Sequence, residues 1–455
     1  MNIKELVIQC LRAIQGTKDA GNRWYTLLRA WLQNLGLQRT TTDHGVFTWM
    51  HNNEQCLLVL ETDDILMASP TSKPFDYLRQ ELKTMFDFTT TQGTVLKFLN
   101  LRIIQTPCGI SFDQTNHIQT QILNNYFKDI PPPLIPHRAF PFPIDTAFEQ
   151  LLYESAPLTG IDLQQMESKF RYPFNHIVGQ LMHISTISRP DISYACMRFS
   201  GYMACPNTTI FDALYHCLCY LYHHPHMPIM YPSTPRSTQE IQTFWSKGQA
   251  EYLSPDFGEE LTTFTDADHA RCLHTHRSVS VYYILHNSVV VSWGCKKQPI
   301  TSIHSTGSEI TALYKGASKT ILLRNFLASI GFPITSSTPI YEDNQGTIKL
   351  VRTHRLTDTV RHYAVKIAWL NEQFLHNQIH TAYTKTTMQL ADCSSKPMNG
   401  SQLFRAISYA IGQRFYPLPY HHHFTLLELD KYAYLRRHTS IAHKLPDVSI
   451  QPHPT

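Results

Sequence analysis

The run Leu261-Thr262-Thr263-Phe264-Thr265-Asp266-Ala267-Asp268 alternates as a β-strand does, which puts Asp266 and Asp268 on one face. Working outward, the stretches Ser278–Leu285 and Ser288–Trp293 are short, apolar and β-branched, and can pair with it as a meander. Ser305-Thr306-Gly307-Ser308-Glu309 opens a helix, with Ser305 as the expected N-cap and Glu309 in the first turns. Pro339-Ile340-Tyr341-Glu342-Asp343 reads as a strand ending at a carboxylate, and Asn344-Gln345-Gly346 leads into another helix. Leu390-Ala391-Asp392 lies on the last helical segment, before Lys396-Pro397.

Asp266, Glu309, Asp343 and Asp392 therefore sit on two strands and two helices and do not form one surface charge run. If they converge, they make an oxygen-ligand site suited to a hard cation, Mg²⁺ or Mn²⁺. Two such ions about 3.5–4 Å apart can activate a water and stabilise the leaving oxygen in a phosphoryl displacement. Without a cation, that many carboxylates at one point repel one another. Taken singly, each of the four reads as a solvated surface residue; their order and context together carry the metal reading.

The 455 residues allow two to three domains, and 42% apolar with 16% charged residues describes a globular chain rather than a disordered one. A net charge of +4, with histidine neutral, is compatible with a nucleic-acid partner without requiring one. No apolar run is long enough for a membrane span, and the N-terminus carries charge where a secretory signal needs an apolar block. The ten cysteines include no CxxC pair and read as reduced thiols, so the expected setting is cytosolic or nuclear.

Upstream, residues 1–36 have helical periodicity. Gly45–Trp49 and Cys56–Glu61 read as strands around the turn His51-Asn52-Asn53, and Thr62-Asp63-Asp64 forms a hairpin tip with two carboxylates. Phe75–Phe86 reads as an amphipathic helix, and Leu96–Ile104 with Gly109–Phe112 as a further strand pair. The proline-rich stretch from 131 predicts a linker, as do Pro232, Ser233, Pro235, Ser237 and Gly248. A mostly helical block lies between them.

Several of these stretches resemble, in order and spacing, the signatures of copia-type retrotransposon Pol polyproteins. The ribonuclease H part is matched by Phe264–Asp268, Val291–Gln298, Ser305–Glu309, Glu342–Gly346 and Gln389–Pro397. Gln15–Ala20 with Arg23-Trp24-Tyr25, Leu58–Ile65 and Leu96–Ile103 are similar to the reverse-transcriptase palm of that family. Gly179–His183 and Arg189–Ala195 match its connecting region. The resemblance implies an α+β architecture: a partial reverse-transcriptase palm, a helical connection, then a ribonuclease H-like mixed sheet with flanking helices. The expected divisions are 1–130 palm/thumb, 131–164 linker, 165–230 helical connection, 231–258 linker, 259–398 ribonuclease H-like domain and 399–455 tail.

In that family the four carboxylates are metal ligands, and they correspond to Asp266, Glu309, Asp343 and Asp392. The implied activity is two-metal hydrolysis of the RNA strand of RNA–DNA hybrids; the alternative is a non-catalytic relic or nucleic-acid-binding module. Asp63 and Asp64 correspond to the polymerase hairpin pair, where Glu61 stands in place of the family's tyrosine. The family's other polymerase aspartate precedes the Gln15–Tyr25 motif and so falls before residue 1, which implies an inactive polymerase part. Further departures are His269 for tryptophan, Ala364 for an acidic residue in Arg361-His362-Tyr363-Ala364, and Ser394-Ser395 for Phe-Thr. His362 is a candidate for product release or proton transfer.

Other motifs have competing readings. His216, Cys219 and His223 share a helical face and could ligate zinc, yet their apolar neighbours describe a core helix. His421-His422-His423 reads as tail surface. Lys296-Lys297 are candidates for phosphate contact, against a solvated strand end.

Overall fold

The computed structural model describes residues 20–62, 64–86, 88–91, 93–241, 260–353 and 358–413. The chain divides into two compact units, one of Met1–Gln92 with Ile321–Thr335, the other of Gly93–Thr320 with Ser336–Thr455.

In the first unit, helix Ala20–Asn34 covers an antiparallel sheet of β1 (Gln38–Arg39), β2 (Val46–His51), β3 (Glu54–Glu61) and β4 (Asp64–Ala68), in that order. Its apolar stripe places Leu28 and Leu32 against Phe47, Leu58 and Leu60, and helix Lys73–Met85 adds Leu78. The β2–β3 turn uses Asn52 and Asn53, both at positive φ, as a two-residue hairpin requires. Trp24 donates from Nε1 to the carbonyl of Thr62 at 2.8 Å, and Tyr25 from its hydroxyl to that of His44 at 2.7 Å. Trp24 of the Arg23-Trp24-Tyr25 motif thus ties the helix to the end of β3, and Tyr25 ties it to the segment before β2.

The second unit opens with β5 (Val95–Phe98), β6 (Leu101–Thr106) and β7 (Gly109–Asp113), which pair onward with β8 (Ile229–Pro232). Residues 1–130, expected as one segment, are therefore shared between the two units. Leu96–Ile104 is not one strand, because Leu99 and Asn100 take positive φ and turn it into a hairpin. Gly109, at φ +142°, lies where a Cβ would strike the carbonyl of Tyr231, so β7 can meet β8 only with glycine there.

The proline-rich stretch expected as a linker is packed. Ile135 and Phe142 are buried, His223 Nε2 meets the Ile135 carbonyl at 3.2 Å, and His216 Nε2 that of Phe140 at 2.9 Å. Helices Thr146–Glu154 and Gly160–Phe170 follow, so the helical block begins before residue 165. It continues through Phe174–Ile187, Ser193–Ser200 and Thr208–His223. Part of the second expected linker is also fixed: Arg236 donates to the carbonyls of Ser288, Tyr409 and Gln413. Residues 242–259 and the tail histidines 421–423 lie outside the described residues. Gly400–Ala410, expected as tail, is a helix with Leu403, Ala406, Ile407 and Ala410 buried, spaced at the helical period.

β9 (Leu261–Asp268), β10 (Val279–His286) and β11 (Val289–Lys297) form the expected antiparallel meander. β12 (Thr338–Glu342) lies parallel to β9, and β13 (Ile379–Tyr383) parallel to β12, giving the order β11-β10-β9-β12-β13 of a ribonuclease H-like sheet. One face carries helix Ser305–Ser329. Gly316 permits this, since a Cβ there would collide with Thr265 Cγ2 of β9. The other face shares a core with the helical block, where Val281, Tyr283 and Leu285 join Leu181, Ile184 and Phe199. Trp293 donates from Nε1 to the Ser185 carbonyl at 2.9 Å.

At this junction Arg189 and Asp191, each 1% exposed, form a two-pronged ion pair at 2.8 and 2.6 Å, and the Tyr220 hydroxyl donates to Asp191 at 2.8 Å. Asp191→Ala strands a buried guanidinium and is expected to cost roughly 3–5 kcal/mol. Denaturant unfolding of the variant measures it, and a loss under about 1 kcal/mol contradicts the assignment.

Candidate metal centre

Parallel pairing of β12 with β9 is the local cause of the site. Ile340 lies level with Thr263 and Tyr341 with Phe264, so Asp343, just past the end of β12, comes level with Asp266. Glu309 reaches the same point from the first turns of helix Ser305–Ser329, and its carboxylate accepts the Ala267 backbone N–H. Ser305 is the first helical residue rather than the cap, and the carbonyl of His304 takes the first helical bonds. Gln298 steadies this helix start, donating to Ser280 Oγ at 2.8 Å and to the Ser308 carbonyl at 3.0 Å.

One ligand oxygen each from Asp266, Glu309 and Asp343 lies within 4.8 Å of the others. Asp266 and Glu309 are buried, while Asp343 is half-buried and accepts from Thr386 Oγ1 at 2.7 Å. Asp392, the first residue of helix Asp392–Ser395, is buried, and its charge acts on that of Asp266. Its Oδ2 lies 2.7 Å from Lys396 Nζ. The Ser395 side chain hydrogen-bonds Asp266. Gln389 closes the space beyond the β9–β12 ladder, donating to the Thr265 carbonyl at 2.9 Å.

Burial first, and mutual repulsion second, disfavour ionisation here. The carboxyl groups of Asp266 and Glu309 are raised, and that of Asp392 is pushed up to about 7. Glu309 Oε2 and Asp392 Oδ1 are buried with no hydrogen-bond partner. Orphaned acceptors beside converging carboxylates fit a hard divalent cation, which would restore the charge balance and the missing contacts.

The sequence reading missed Glu342. It is fully buried, accepts from Thr265 Oγ1 and the Asn344 N–H at 3.2 Å each, and its carboxyl is raised mainly by burial and by Asp266. Its only signal was adjacency to Asp343.

The remaining candidates do not join the site. Asp64 is exposed at the start of β4, opposite Glu61, and Asp63 lies outside the described residues. Among the described residues, the Asp266–Glu309–Asp343 group is the one whose ligand atoms converge, so His216, Cys219 and His223 make no zinc site. Burial lowers His216 to about 4, as suits a neutral ring held to a carbonyl. His362 is exposed and packs on Tyr363, with ring centroids 4.1 Å apart. Lys297 Nζ contacts Cys272 Sγ at 3.2 Å, leaving exposed Lys296 as the solvent-facing lysine of that pair.

Residues 2–137 match the family described as reverse transcriptase (RNA-dependent DNA polymerase). Over 393 residues, 86% of its length, the chain is 24% identical to the retrovirus-related Pol polyprotein of transposon RE1 from Arabidopsis thaliana. It is 26% identical over 68% of its length to a putative transposon Ty5-1 protein of Saccharomyces cerevisiae, covering 86% of that protein. Along most of its length the chain is similar to retrotransposon Pol polyproteins. It spans about a quarter of the length of the first Pol polyproteins it matches.

Among solved structures, the N-terminal ribonuclease H domain of a Mycobacterium tuberculosis protein aligns with 32% of this chain and 94% of its own chain. The identity is 10% and the TM-score 0.23. A foamy viral protease-reverse transcriptase, solved in complex with an RNA/DNA hybrid, aligns with 89% of this chain and 62% of its own chain. There the identity is 10% and the TM-score 0.24.

Replacing Asp343 by Asn removes a charge that repels Asp266, Glu309 and Asp392. The expected result is a melting temperature in EDTA a few degrees above wild type, about 1 kcal/mol of relief, with the stabilisation by Mg²⁺ abolished. For the wild type, calorimetry in buffers of different ionisation enthalpy should show proton release on Mg²⁺ binding near pH 6.5, because Asp392 must ionise. Unchanged Mg²⁺ stabilisation in the variant removes Asp343 from the ligand set.

Proposed function

We propose that the unit containing β9–β13 hydrolyses the RNA strand of RNA–DNA hybrids, with Asp266, Glu309, Asp343 and Asp392 holding Mg²⁺ or Mn²⁺. The observation that carries this reading is the approach of three carboxylate oxygens to within 4.8 Å at the end of the β9–β12 pair. When bound, such ions lower the pKa of an attacking water and neutralise charge on the leaving oxygen.

The chain's own residues do the positioning. β9 fixes Asp266 through backbone pairing, and Asp343 follows directly on the last paired residue of β12. Glu309 is set by a helix packed against β9 at Gly316, and Thr386 orients Asp343 from the solvent side. Lys296, exposed at the end of β11, is suited to phosphate contact, which follows backbone shape without reading bases. On a labelled hybrid with Mg²⁺, cleavage confined to the RNA strand is expected, and Asp343→Asn should slow it at least about a thousandfold, roughly 4 kcal/mol. A wild-type protein that binds the hybrid but leaves both strands intact is a binding module instead.

We also propose that residues 1–455 alone do not extend a primer. In the hairpin, Asp64 is exposed and Glu61 lies opposite it, adding negative charge where a nucleotide triphosphate would have to approach. Among the described residues no third carboxylate converges there. Template-dependent incorporation by purified protein overturns this.

A further inference from the structure

The acidic centre already contains a cation of its own. Lys396 follows Asp392 by one helical turn, and its ammonium lies 2.7 Å from Asp392 Oδ2. Its charge also acts on Asp266 and Asp268, and the charges of Asp266 and Asp343 act on it in turn. The site is thus uneven. Asp266, Glu309 and Asp343 face one another with Glu309 Oε2 lacking a donor, whereas Asp392 is engaged by lysine at Oδ2 and unpartnered at Oδ1.

The pair is uneven in burial as well. The Asp392 side chain is 5% exposed, the Lys396 side chain 39%. Asp392 is held in a helix among buried Cys393, Ser394 and Ser395. Lys396 ends that helix in an extended conformation, with Pro397 next, so its backbone is fixed while its long side chain can swing into water. An ammonium in that position does what a divalent ion would do for Asp392, and the two cannot occupy its Oδ2 together.

We propose that Lys396 is the built-in counter-cation of the acidic centre, holding Asp392 in the metal-free protein and yielding it only when a second divalent ion binds. This rests on the metal reading above. A first ion enters the Asp266–Glu309–Asp343 group without displacing any residue. A second ion at Asp392, through either oxygen, meets the charge of the ammonium a few ångströms away, so the two ions bind in sequence and the second more weakly.

The test counts and ranks bound Mn²⁺ by calorimetry and by the electron paramagnetic resonance signal of free ion, on the full chain without nucleic acid. For wild type, a tighter and a weaker site are expected. Lys396→Met should tighten the weaker site by about tenfold or more and the first site by less, since a unit charge closest to Asp392 is removed. Lys396→Arg should restore the wild-type gap. In thermal melts, Lys396→Met should lose several degrees in EDTA and recover to wild type with saturating Mn²⁺. Equal losses in both conditions, or an unchanged second affinity, overturn the counter-cation role while leaving the metal centre standing. A wild-type protein that binds no Mn²⁺ overturns the metal centre and this inference with it.

Discussion

Like charges at close range are the constraint around which the second unit is organised. Asp266, Glu309 and Asp343 converge, with Asp392 beside Asp266 and Glu342 buried behind them, where water cannot screen their repulsion. Such a cluster persists only if its residues are anchored by structure that does not depend on them. Three anchors serve: a parallel strand pair, a helix held against that pair by Gly316, and a short helix tied to β10 and β11. The short helix is held where the Tyr283 hydroxyl meets Ser394 Oγ at 2.7 Å and Cys295 Sγ meets the Ser394 carbonyl at 3.0 Å.

These anchors have a common backing. The helical block is no separate connector, because its helices and the sheet's second face form one core. Arg189-Pro190-Asp191, recognisable in the sequence as a connecting-region motif, sits at that junction. The ion pair orients the turn, and the Pro190 carbonyl lies 3.4 Å from the Tyr283 hydroxyl. A buried pair of this kind adds little stability over apolar residues, but breaking it is costly, so it enforces one arrangement of the turn.

The departures from the family pattern acquire physical content here. Ser394, in place of a bulky aromatic, supplies an oxygen to Tyr283, and Ser395 keeps a hydroxyl that hydrogen-bonds Asp266. His269 lies 3.5 Å from Ser308 Oγ at the start of the Glu309 helix. Ala364 opens helix Ala364–Leu375 beside exposed His362, where the family pattern has an acidic residue.

By itself the sequence determined the meander, the strand leading to Asp343, the helix carrying Glu309 and the three carboxylates that come together. Those are local signals: alternation, helix-start chemistry and motif order, each readable within a dozen residues. Tertiary structure alone decided the rest. Whether a proline-rich stretch is a tether or a packed strap depends on partners such as His216 and His223, some eighty residues away. Whether 95–113 pairs back to β1–β4 or on to β8 is a choice between edges that alternation does not encode. Glu342 is a buried acid only because β9 covers it, and Lys396 is a counter-cation only because its helix ends beside Asp266. Charge becomes chemistry through distance and burial, and both are set by the packing of elements far apart in the chain.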